Sequence, residues 1–103
     1  TMKPGSKDVK YKILITGQEL EELKKFTGDM AESFGLDRRV ENYRGKRPIG
    51  FYRWDLDCLE AVIWMALDDE DEYPDKSGDG YKALKRLYDQ IKAMHIKAYQ
   101  DEP

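Results

Sequence analysis

Four groups of residues have types and spacings that chemistry uses. The first is acidic. Asp75-Lys76-Ser77-Gly78-Asp79-Gly80 places side-chain oxygens at loop positions 1, 3 and 5 and a glycine at position 6, which is how a calcium loop of the EF-hand kind begins. The pattern then breaks. Lys82 stands at position 8, and Arg86 occupies position 12, where the bidentate glutamate belongs. A cation in place of the strongest anionic ligand opposes a metal ion. The segment therefore reads as a solvated turn whose Asp79 caps the next helix, and no metal site is assigned.

The second group is basic and aromatic. Arg38, Arg39, Arg44, Lys46, Arg47 and Arg53 are interleaved with Tyr43, Phe51, Tyr52 and Trp54. Cations beside rings can track phosphates and stack bases. The same composition is that of protein-interface hot spots. A third reading lays these arginines over the chain's own acidic helix faces, including Glu19, Glu21, Glu22 and Glu60. The candidate interaction surface is Arg38, Arg39, Arg44, Lys46, Arg47, Phe51, Tyr52, Arg53 and Trp54. An acidic isoelectric point of about 5.2 and the lack of a nucleic-acid recognition motif favour a protein partner over nucleic acid.

The last two groups are sparser. His95 falls on the apolar stripe of a helix, and Cys58 lies inside another. Catalysis by such a pair needs an orienting carboxylate and an activated thiol, and neither residue has a motif around it. Trp54-Asp55-Leu56-Asp57 with Glu60 gathers carboxylates that could form an acid–base set. Acids in the first turns of a helix are equally what the helix dipole prefers. Phosphate loops and Ser-His-Asp order cues are absent. No catalytic residue and no cofactor is assigned, and no family resemblance emerges.

The elements that must hold these groups are legible in the hydrophobic pattern. Val9, Tyr11, Ile13 and Ile15 alternate with Lys10 and Lys12, the period of a strand buried on one face. Thr16 and Glu19 have capping-box spacing. Leu20, Leu23, Thr27, Met30, Ala31 and Phe34 follow at helical spacing to a C-cap at Gly35. Arg44-Gly45-Lys46 and Pro48 break the chain, which predicts an irregular hairpin over about 38–43 and 49–53. Asp55 is a second N-cap, followed by a helix over about 55–68 that is apolar nearly all round. It is expected to be the buried centre, with Trp64 inside. Leu84, Leu87, Tyr88, Ile91, Met94, His95 and Ala98 predict a final amphipathic helix over about 80–99. A faint echo relates Ile15, Leu20 and Leu23 to Phe51, Leu56 and Leu59 at the same spacings.

Composition bounds the rest. The chain has 103 residues, 38% charged and 12% aromatic, with a net charge of −3. One cysteine excludes an internal disulfide and one histidine a multi-histidine metal centre. Charge is segregated: residues 36–53 carry +4, residues 68–80 carry −6 and residues 81–99 carry +4. The expected fold is α+β, an N-terminal strand and irregular hairpin packed on three helices. The alternative is a small, mostly-α three-helix domain. Residues 1–8 and 101–103 are expected as tails around one domain over 9–100. The expected function is a cytoplasmic, non-enzymatic interaction or regulatory module. It would bind another protein or itself, as a homodimer joining the basic and acidic patches. A nucleic-acid-associated regulator using 38–53 is the alternative, and no membrane association is expected.

Overall fold

The computed structural model describes residues 11–30 and 35–100. The expected tails, Val9 of the first strand and residues 31–34 lie outside the described residues. Among those described, the order is β1 (Tyr11–Ile13), α1 (Gly17–Lys24), a 3-10 turn (Thr27–Met30), α2 (Leu36–Asn42), β2 (Ile49–Phe51), α3 (Arg53–Leu67) and α4 (Asp79–Gln100). The fold is α+β, with four helices and one two-stranded antiparallel sheet among the described residues. No described helix is long and apolar enough to cross a membrane.

The strand read from the alternation is present over Tyr11–Ile13, and it takes the second half of the expected hairpin as its partner. β1 pairs with β2 in the register Tyr11↔Phe51, Lys12↔Gly50 and Ile13↔Ile49. The expected hairpin over 38–43 and 49–53 does not form, because its first half is α2. Leu36 and Val40, four residues apart, bury one side of that helix completely. Arg38 and Glu41 face water. Gly35, expected as the C-cap of the first helix, instead stands as the N-cap of α2, in the left-handed conformation with φ 76°.

The first helix is also shorter than expected. α1 ends at Lys24, and the chain tightens into the 3-10 turn, which still buries Thr27 and Met30. Thr16 is the N-cap residue without a side-chain cap hydrogen bond, so the expected capping box with Glu19 is not made. The third helix starts two residues early, with Tyr52 as N-cap. Asp55 sits three residues in and reaches back, its Oδ2 accepting the Tyr52 N–H at 2.9 Å.

One core joins the elements. Ile15, Leu20 and Leu23 meet Phe51, Leu56 and Leu59, together with Ile63, Leu84, Leu87 and Ile91. α4 packs along both α3 and α1, and α2 packs on the 3-10 turn. The loop between α2 and β2 is drawn inward by Tyr43. Its hydroxyl accepts the Ile15 N–H at 3.3 Å and donates to the Arg47 carbonyl at 2.5 Å. Gly45, with φ 71°, lets this loop pass the start of α1. A Cβ there would lie 3.0 Å from the Ile15 carbonyl oxygen.

Candidate functional site

α3 departs from the buried helix its composition implied. Leu56, Leu59, Ile63 and Leu67 face the core, but Asp57, Ala61, Trp64 and Met65 face water. Trp64, expected inside, is 54% exposed, and Met65 is 70% exposed. A helix with apolar groups on both sides buries only the side its neighbours cover.

The outward face of α3 is a ridge between two hollows. The larger has a volume of about 700 Å³. Its apolar lining is Trp54, Cys58, Ala61, Val62, Met65 and Ala66 from α3, with Phe26 across from them. Its acids are Asp29 from the 3-10 turn, Asp57, and Asp69 and Glu72 from the turn after α3. The smaller, about 480 Å³, lies between α3 and α4 and is lined by Asp57, Glu60, Ala61, Trp64, Tyr88, Lys92 and His95. Asp57 and Ala61 border both.

The turn that forms the acidic wall is anchored from below. Tyr73 is buried, and its hydroxyl donates to Glu22 Oε1 at 2.7 Å. Its ring meets Tyr81 edge-on at 5.9 Å and Phe26 at 6.2 Å. Glu22 is itself buried and pairs with Lys25 at 3.0 Å. Burial, with the Glu22 carboxylate beside it, pushes the Tyr73 phenol far above its ordinary range. Farther along, Asp75 Oδ1 accepts the Ser77 hydroxyl and N–H, which hold its carboxyl below the usual carboxylate range. α4 begins at Asp79, so positions 5 to 12 of the calcium-like pattern are helix and do not wrap an ion. Among the described residues, no group of three His, Cys, Asp or Glu side chains is arranged to hold a metal.

His95 lies in the second hollow, between two carboxylates of α3. Its Nδ1 is 2.5 Å from Glu60 Oε2, and its Nε2 contacts Asp57 Oδ1 without the alignment of a hydrogen bond. Its ring also packs on Tyr99 at 4.9 Å. Asp57 and Glu60, three residues apart, are one helical turn of α3, so the imidazole ties the end of α4 to that turn. The two acids face opposite ring nitrogens and do not converge on one point. Cys58 lines the larger hollow and His95 the smaller, so the fold does not set them together in either.

The basic segment is dispersed. Arg39 is half-buried: its Nη2 pairs with Asp55 at 2.7 Å and its Nη1–H donates to the Gly50 carbonyl at 3.3 Å. Arg38, Arg44, Lys46 and Arg47 are exposed on α2 and the following loop. Phe51 is wholly in the core. Arg53 is half-buried at the start of α3. Tyr52 stacks on Trp54, with ring centres 4.7 Å apart and planes 19° apart. Of the candidate surface, Trp54 alone lines the larger hollow. Sequence reasoning passed over Met65, Ala61 and Asp69. Their signal was a second apolar stripe on α3, Trp54, Cys58, Ala61 and Met65, offset from the core stripe. Compared with known protein families, curated proteins and solved structures, the chain matches none.

Proposed function

We propose that this protein is a small, non-enzymatic interaction module that docks a protein partner on the outward face of α3. The observation that carries the reading is the exposure of Trp64 and Met65, neighbours on one helix, with Met65 lining the larger hollow and Trp64 the smaller. Large exposed apolar groups clustered beside a concavity mark contact surfaces, and Trp and Met are enriched in them. A cytoplasmic setting accords with a single cysteine and no internal disulfide. The nucleic-acid reading has less support, because Phe51 is in the core, the Tyr43 hydroxyl is bonded inward, and Tyr52 stacks on Trp54. That leaves the exposed cations without a row of open rings.

The test compares two positions in cells of the native host. A photo-crosslinking amino acid replaces Met65 in one variant and Gln90, exposed and lining neither hollow, in another. Discrete protein adducts at position 65 and not at position 90 support the reading. Equal adducts at both positions, or none at 65, overturn it.

A further inference from the structure

We infer that the hollow between α3 and the 3-10 turn receives a cationic amphipathic helix of another protein. This rests on the docking reading above and specifies the partner's chemistry. The lining separates into two kinds of surface. Trp54, Ala61, Val62 and Met65 form an apolar floor, spaced along three turns of α3, and Phe26 closes the far side. Around the floor stand Asp29, Asp57, Asp69 and Glu72, contributed by three different parts of the chain, all exposed, with no lysine or arginine in the lining among the described residues. An apolar trough edged by carboxylates complements a helix with an apolar stripe flanked by lysine or arginine.

Length agrees with this. From Trp54 to Asp69 the floor and its wall span about 22 Å at helical rise, the length of a partner helix of about 15 residues. The turn that carries Asp69 and Glu72 is anchored by buried Tyr73 on Glu22, so its backbone is in place before any partner arrives. That limits the ordering cost of docking to the partner.

A second copy of this chain fits less well. Its exposed cations on α2 accompany Leu36 and Val40, which are buried. α4 turns Leu84, Leu87 and Ile91 into the core, leaving Ile96 and Tyr99 as its exposed large apolar groups. Those two occupy a single turn, against the three or four turns of the trough.

The experiment uses the purified whole chain and three synthetic helices of about 15 residues. Leucine forms the apolar stripe in each, and the flanks are lysine, glutamate or glutamine. Backbone NMR shifts locate binding, and titration gives affinity. The lysine peptide is expected to bind, shifting Ala61, Met65 and the Trp54 indole. Its affinity should exceed that of the glutamate peptide by at least about tenfold and fall as salt rises. Asp69→Lys with Glu72→Lys should weaken the lysine peptide about tenfold and leave the glutamine peptide within about twofold. Met65→Glu, at an exposed position, should weaken the glutamine peptide as well.

Three results overturn the inference. One is equal binding of lysine and glutamate peptides. Another is shifts that map outside the trough or ignore the charge reversal. The third is doubled mass in light scattering, with the trough resonances protected in the protein alone, which gives the site to a second copy. Adducts at position 65 with no preference for the lysine peptide would leave docking standing and remove the cationic partner.

Discussion

Arg39 and Asp55 form an ion pair at 2.7 Å in which the Asp55 side chain is completely buried and the Arg39 side chain is about one-third exposed. The pair joins α2 to the start of α3, and the same arginine reaches the Gly50 carbonyl of β2. Removing the cation leaves a buried carboxylate with less compensation. Arg39→Ala is expected to cost about 2–3 kcal/mol, below the usual cost of breaking a fully buried pair because water already reaches the guanidinium. Urea unfolding checks this, and a loss below about 0.5 kcal/mol would make the pair a surface ornament.

The two sides of α3 should respond oppositely to truncation. Leu59→Ala and Ile63→Ala, at fully buried positions, are expected to cost about 2–5 kcal/mol each. Met65→Ala should stay within about 0.5 kcal/mol of the parent. Equal costs in denaturant unfolding would contradict the exposure of Met65.

Tyr73→Phe removes a hydroxyl from a buried carboxylate and is expected to cost about 1–3 kcal/mol. The variant should also change the alkaline limb of stability. The phenol's ordinary value is 10.0, and the folded value is higher. Its contribution is therefore fully present below pH 10.0 and is lost as pH rises toward the folded value, since only the unfolded chain ionises easily. Denaturant midpoints taken across the alkaline range should fall less steeply in Tyr73→Phe than in the parent.

His95→Gln cuts the tie between α4 and the Asp57–Glu60 turn. Amide exchange at Ala98 is expected to speed up by about tenfold, with Leu87 unchanged, because the last turns of α4 lose an anchor while its middle keeps the core. Uniform acceleration along the helix would place the role of His95 in global stability instead.

How far the chain could be read depended on how many residues of each element touch the core. α4 was plain in the sequence because six buried positions recur at helical spacing over its length. α2 was hidden because it buries only Leu36 and Val40, and Gly45 and Pro48 nearby argue for turns. Asp55 reads as a cap in the sequence, since a side chain reaching back three residues leaves no separate mark there. Trp64 misled for a different reason. Residue type alone points an indole inward, and only the packing of α3 against α4, the 3-10 turn and β2 decides which of its two apolar stripes is covered. The site thus fell where the sequence signal was ambiguous, on the surplus apolar face.

The short sheet also sets an order of events. Ile13 and Ile49 pair across 36 positions of chain that include α1 and α2. Closing a loop of that length costs about 3 kcal/mol in chain entropy before a single ladder bond is made. α3 and α4 are joined by a turn of 11 residues, and their closure costs about 2 kcal/mol. The helical hairpin is therefore expected to collect its contacts first and the strands to zip last. In kinetic terms, truncating Leu87 should slow refolding, whereas truncating Ile49 should leave refolding nearly untouched and hasten unfolding.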